Sequence, residues 1–146
     1  MRLSAVSVFV MAVLFTASLV VAQSTSAIGG YCPVAYAAMN KAVKGDPAFS
    51  SVHNGQRFQF VNAGAKKMFD AEPRRYSPRF EGWCATAVAQ GMKVESQPTL
   101  FTVHEGKTYL FSSQEAKAMF DQDTAGTITK ADANWPGVSK MKPSKM

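Results

Sequence analysis

The chain has 146 residues, 47% of them hydrophobic, and its 16 basic and 10 acidic residues give it a net charge of +6. A chain of this length can bury the core of one domain, so it does not need disulfides in order to fold. Its basic residues are spread along the sequence without a dense stripe interleaved with aromatic residues, which argues against nucleic acid as a partner.

The N-terminal segment has the pattern of a secretory signal peptide. Arg2 precedes an apolar run from Ala5 to Val21, which predicts cleavage after Ala22 and a secreted or periplasmic protein. A retained membrane anchor is the alternative. The run is slightly short of the about 20 residues that a spanning helix needs, so we expect no stable membrane insertion after cleavage. Removal of residues 1–22 lowers the net charge to +5, because Arg2 is their only charged residue.

A repeat organises the remainder of the chain. The segment from Val52 to Asp70 returns 51 positions later as the segment from Val103 to Asp121. A Gly-aromatic-Cys piece stands ahead of each copy, so Cys32 and Cys84, the only cysteines, occupy equivalent places. The sequence thus predicts a flexible leader (23–30), one domain (31–138) made of two half-units (31–81 and 82–138), and a basic tail (139–146).

The first half-unit is predicted to contain an edge segment, a hairpin and a helix. Proline interrupts the apolar stretch 31–36, which favours an edge segment over an interior strand, and residues 41–51 have the composition of a loop. Asn54-Gly55 is a strong hairpin signal, and an alternating strand pattern follows it. Asn62 is the predicted N-cap of a helix that ends before Pro73.

The second half-unit repeats this plan. The alanine-rich residues 82–91 are predicted to form a short buried helix that ends on glycine, with Cys84 in its first turn. Glu105-Gly106 replaces Asn-Gly at the hairpin turn, and Ser112 or Ser113 is the expected cap of the next helix.

Each half-unit is too small to be stable alone. The sequence therefore predicts an α+β fold in which two β-hairpin–helix half-units pack about a pseudo-twofold axis, with a last short helix over residues 127–133. The helix stripes place Met68 and Met119 in the core. His53 and His104 stand at the hairpin turns, where solvated side chains are expected rather than metal ligands.

The chain resembles the YHS domain family. The resemblance is carried by residues 60–76, Phe-Val-Asn-Ala-Gly-Ala-Lys-Lys-Met-Phe-Asp-Ala-Glu-Pro-Arg-Arg-Tyr, and by residues 30–36 ahead of them. The continuation through residues 82–88 to 131–136 is similar to the longer, exported bacterial members. The resemblance implies a YHS-like fold and an association with copper or other heavy metals, since the same module is attached to copper-transporting ATPases and monooxygenases.

The metal ligands of those relatives do not transfer to this chain. The relatives have cysteines just after the Phe of the second strand and in the following helix. The matching positions here are Val61 and Ala65 in the first copy, and Ser112 and Ala116 in the second. Exported members similar to this chain often have aspartate in place of Cys32, so the resemblance makes the second thiol a feature of a subgroup.

Cys32 and Cys84 are the candidate metal ligands, because two thiolates related by a twofold axis form the simplest two-coordinate site for a soft ion. Cu(I) is the expected ion, and Zn(II), which would need further ligands, is less favoured. Tyr31, Trp83 and Met92 are weaker candidates that could shield or complete the site. A metal donor or acceptor protein is the partner that such a site implies, and cysteine pairing between two chains would give a homodimer.

Two other interpretations of the cysteine pair stay open. A Cys32–Cys84 disulfide would leave no metal cofactor and would staple a periplasmic binding module, with a stabilisation of about 4 kcal/mol in the chain-entropy model. A thiol oxidoreductase is less favoured, because the sequence has no Cys-x-x-Cys pair. The sequence also shows no paired carboxylates, phosphate-binding glycine loop or Ser/His/Asp set, so we expect a non-enzymatic protein.

Overall fold

The computed structural model describes residues 25–145, so the predicted signal peptide lies outside the described residues. Within this part of the chain, no helix combines the length and the apolar character that crossing a bilayer requires. Over the same residues the fold is α+β, with six α-helices and two separate, two-stranded antiparallel sheets.

The first half begins with a 3₁₀ turn and then contains a helix, a hairpin and two helices. Its elements are the turn Ala27–Gly30, α1 (Pro33–Met39), β1 (Asp46–His53), β2 (Gln56–Phe60), α2 (Ala63–Ala71) and α3 (Pro73–Tyr76). Asn54 and Gly55 close the hairpin with positive φ angles, as a type I′ turn requires. The Asn62 side chain accepts a hydrogen bond from the Ala65 amide at 2.8 Å and caps α2. The hairpin and cap predictions are confirmed.

The second half repeats this order of elements. They are the 3₁₀ turn Arg79–Gly82, α4 (Ala85–Ala89), β3 (Gln97–His104), β4 (Lys107–Phe111), α5 (Gln114–Gln122) and α6 (Thr124–Val138). Glu105 and Gly106 again have positive φ. The Ser113 hydroxyl accepts from the Ala116 amide at 3.1 Å, which identifies Ser113, rather than Ser112, as the cap of α5.

Each half has a hydrophobic cluster of its own. In the first, Phe69 of α2 packs on Phe58 and Phe60 of β2, with ring centroids 4.9 and 5.0 Å apart. In the second, the rings 51 positions further on repeat both contacts at 5.0 Å: Tyr109, Phe111 and Phe120. The repeated sequence therefore builds the same hairpin-on-helix core twice.

Polar contacts beside these cores are repeated as well. Asp70 of α2 accepts hydrogen bonds from Lys66 and from the Ser51 hydroxyl, both at 2.5 Å. These hydrogen bonds lower the pKa of the Asp70 carboxyl. The equivalent contacts in the second half are those of Lys117 and Thr102 with Asp121, at 2.6 and 3.1 Å.

Three predictions about local structure differ from what is observed. The predicted edge segment 31–36 is wrong, because Pro33 opens α1 at a position where an amide would have no intrahelical partner. The predicted loop 41–51 is too long, because β1 begins at Asp46. The predicted last helix, 127–133, extends from Thr124 to Val138, with Pro136 in its final turn.

Two further differences concern burial. Residues 27–30, assigned to the leader by sequence, form the first 3₁₀ turn, and Ala27 packs in the first cluster. Met68 and Met119 are not core residues, since 43% and 50% of their surfaces are exposed. The core-facing positions of their helices belong instead to the neighbouring Phe69 and Phe120.

Candidate functional site

Cys32 lies at the start of α1 as its N-cap residue, and its side chain is fully buried in the cluster of the first half. Its amide donates to the Val43 carbonyl at 2.8 Å, which fixes the segment that leads into β1 against the start of the helix. The Lys44 ammonium lies 4.9 Å from the centroid of the Tyr31 ring. Tyr31 is partly accessible to solvent, whereas the thiol of Cys32 beside it is fully buried.

Cys84 occupies the same position in the second half, as the N-cap residue of α4, and is also fully buried. Its amide donates to the Val94 carbonyl at 3.0 Å, and the Lys93 ammonium lies 4.9 Å from the centroid of the Trp83 ring. One contact distinguishes this half, because the Ser112 hydroxyl donates to the Cys84 sulfur at 3.4 Å. The two thiols have equivalent backbone settings and different polar neighbours.

The structure places the two thiols in different hydrophobic clusters, Cys32 in that of the first half and Cys84 in that of the second. Both cysteines are free, so the disulfide of the alternative interpretation is not present in the structure. Among residues 25–145, no group of three or more His, Cys, Asp and Glu side chains is placed to hold a metal ion.

Soft sulfur is nevertheless accessible on this protein. All five methionines of the described part of the chain are exposed: Met39, Met68, Met92, Met119 and Met141. Thioethers, like thiolates, suit Cu(I). The sulfur ligands that solvent reaches are therefore thioethers, and Met92 is the one that the sequence made a candidate ligand.

The histidines are less solvated than their position in the sequence predicts. His53 and His104 are both half-buried, and the His53 ring meets Phe69 edge-on at a centroid distance of 6.1 Å. His53 also lines two adjoining cavities together with Arg74 and Lys107. The sequence did not predict this cleft, because its walls come from parts of the chain that are far apart. The signal that could have indicated it is the basic stretch of α3.

Tyr36 is a buried polar residue close to Cys32. Its fully buried side chain belongs to α1, and its hydroxyl donates to the Pro98 carbonyl. Burial raises the pKa of Tyr36 well above its ordinary value, and the nearby Tyr31 and Cys32 raise it further. The hydroxyl therefore stays protonated at neutral pH and can keep donating this hydrogen bond.

No protein-family model, curated protein or solved structure matches the chain.

Proposed function

We propose that this chain is an exported, non-enzymatic protein related to the YHS domains, with two half-units packed about a pseudo-twofold axis. The duplicated order of elements supports the twofold arrangement, and so do contacts that recur 51 positions apart, such as Lys66 with Asp70 and Lys117 with Asp121. The signal-peptide pattern of residues 1–22 supports export.

We further propose that the protein binds Cu(I) through Cys32 and Cys84. One observation carries this proposal: both thiols are unpaired and stand at the same N-cap position in the two halves. Unpaired thiols are needed for a dithiolate site, and thiolates select soft ions. Because both thiols are fully buried, an ion can reach them only if the core opens. Metal uptake is then coupled to a conformational change.

Competition for Cu(I) against a chromophoric chelator, with thiol counting, tests this proposal. We expect uptake by the full chain that is lost equally in Cys32→Ser and Cys84→Ser and retained in Met92→Leu. We also expect amide hydrogens at the starts of α1 and α4 to exchange at a different rate once Cu(I) is bound. Unchanged Cu(I) uptake in both cysteine variants would exclude the two thiols as ligands.

A metal-free binding module is the second candidate, and the complete burial of the two thiols in different clusters favours it. In that function Cys32 and Cys84 act as small apolar core residues. Cys32→Ala and Cys84→Ala would then lower the free energy of unfolding without changing Cu(I) uptake. Absence of Cu(I) uptake by the reduced wild-type chain, together with this result, would favour the second candidate.

A further inference from the structure

A cationic cleft lies where the two halves meet. It consists of two adjoining cavities of about 350 and 440 Å³ that share His53, Arg74 and Lys107. The first half contributes the end of β1 and helix α3, and the second half contributes the start of β4 and part of α6. The cleft exists only because the halves pack together.

The positive charge in this cleft is only partly neutralised. Two arginines near it have carboxylate partners, since Arg75 pairs with Glu72 at 3.0 Å and Arg79 pairs with Asp132. Neither Arg74 nor Lys107 forms an ion pair with any residue of the described part of the chain. An anion that enters the cleft would thus meet two cations that have no carboxylate partner.

One contact crosses the cleft. The Lys107 ammonium donates to the backbone carbonyl of Arg74 at 3.2 Å, which uses one of its three N–H donors and leaves two for a ligand. The Arg79 side chain also lines the first cavity and is 38% exposed, and a guanidinium binds anion oxygens well.

One wall of the first cavity is aromatic. Phe80 and Trp135 line it, with ring centroids 5.7 Å apart in an edge-to-face arrangement, and Trp135 is half-buried. A flat apolar group can pack on such a wall while an attached anionic group contacts the cations.

We propose that this cleft binds a small organic anion, a carboxylate or phosphate joined to an aromatic or other flat apolar group. Arg74, Arg79 and Lys107 contact the anionic group, and Trp135 contacts the flat group. This site is distinct from the cysteines and does not depend on metal binding. It would make the protein a receptor or carrier for a small anionic molecule.

Titration calorimetry of the full chain with phenyl phosphate, benzoate and inorganic phosphate tests the proposal. We expect saturable binding of at least one aromatic probe, tighter than that of inorganic phosphate. Arg74→Gln and Lys107→Gln should each weaken it roughly tenfold, the loss of one charge-assisted contact. Lys67→Gln, which removes an exposed lysine of α2 outside the cleft, is the matched control and should bind as the wild type does.

A further variant tests the contact with the flat group separately from the contact with the anionic group. Trp135→Leu should weaken the aromatic probe and leave inorganic phosphate unchanged, and its circular dichroism spectrum checks that it is folded. Phosphate binding as tight as that of phenyl phosphate would overturn the assignment of the aromatic wall. Equal affinity in wild type, Arg74→Gln and Lys107→Gln, or no saturable binding of either aromatic probe, would overturn the site itself. Cu(I) uptake should be the same in all these variants.

Discussion

Tyr36 of α1 donates a hydrogen bond from its hydroxyl to the Pro98 carbonyl of β3 at 2.6 Å. The two residues are 62 positions apart and belong to different halves of the chain. The Tyr36 ring also meets Phe101 of β3 at a centroid distance of 4.8 Å. This partly buried contact joins the halves through a polar group and an aromatic edge at the same point.

Loss of the Tyr36 hydroxyl should weaken the contact between the two halves. We expect Tyr36→Phe to lower the free energy of unfolding by about 1 kcal/mol, because the hydrogen bond to the partly buried Pro98 carbonyl is lost. Urea denaturation measures the change. Tyr31→Phe is the matched control, since the Tyr31 hydroxyl makes no side-chain hydrogen bond among the described residues, and it should stay close to the wild type. Equal stability of Tyr36→Phe and wild type would show that the hydrogen bond makes no net contribution.

Alkaline pH should destabilise the protein through the same residue. Burial raises the pKa of Tyr36 in the folded state, whereas an unfolded tyrosine ionises near its ordinary pKa of about 10. Below that pH both states keep the proton, and Tyr36 causes no pH dependence. Above it, the unfolded state loses the proton first, so the free energy of unfolding falls as pH rises.

Denaturation midpoints from pH 8 upward, compared between wild type and Tyr36→Phe, measure this effect. The variant should show a shallower decline above about pH 10. A smaller decline should remain in the variant, because burial also raises the pKa of Tyr109. Parallel curves for the two proteins would contradict a contribution from Tyr36.

The two helix caps should contribute independently to the free energy of unfolding. Asn62→Ala and Ser113→Ala each remove the side-chain acceptor of a first-turn amide, so each should lower the free energy of unfolding by about 1 kcal/mol. The caps belong to different halves, and the double variant should show the sum of the two losses. Thermal and urea denaturation check both values. Ser112→Ala, which leaves the cap intact, should cost less than Ser113→Ala, and the reverse order would contradict the assignment.

Replacing Gly45 and Gly137 by alanine should have different effects on stability. A Cβ at Gly45 would lie 2.5 Å from the carbonyl carbon of Gln59, so Gly45→Ala should destabilise the protein by about 1–3 kcal/mol through overpacking. A Cβ at Gly137 meets no atom within 4 Å, and Gly137 lies in α6. Gly137→Ala should therefore leave stability unchanged or raise it by up to about 1 kcal/mol. Similar losses in both variants would contradict the close approach at Gly45.

Local chemistry made much of the fold predictable. Asn54-Gly55 specifies a tight hairpin because both residues tolerate positive φ. Asn62 marks a helix start because its short side chain reaches the amide of Ala65. Pro33 was misread, because proline fits both an edge strand and the first turn of a helix. The contacts that decide between an edge strand and a helix start lie outside residues 31–36.

Less of the candidate site could be predicted from the sequence. The repeat placed Cys32 and Cys84 at equivalent positions, and the structure finds them at equivalent N-caps. Equivalent positions do not imply a shared site, however, since each sulfur packs in the cluster of its own half.

The sequence by itself determined the duplicated hairpins, their turns and the helix that follows each hairpin, because these depend on residues within a few positions of one another. Only the tertiary structure decided that the thiols pack in different clusters and that Arg74 and Lys107 share a cleft. Those relationships depend on how the two halves pack. That packing is set by contacts such as Tyr36 with Pro98, which no local pattern specifies.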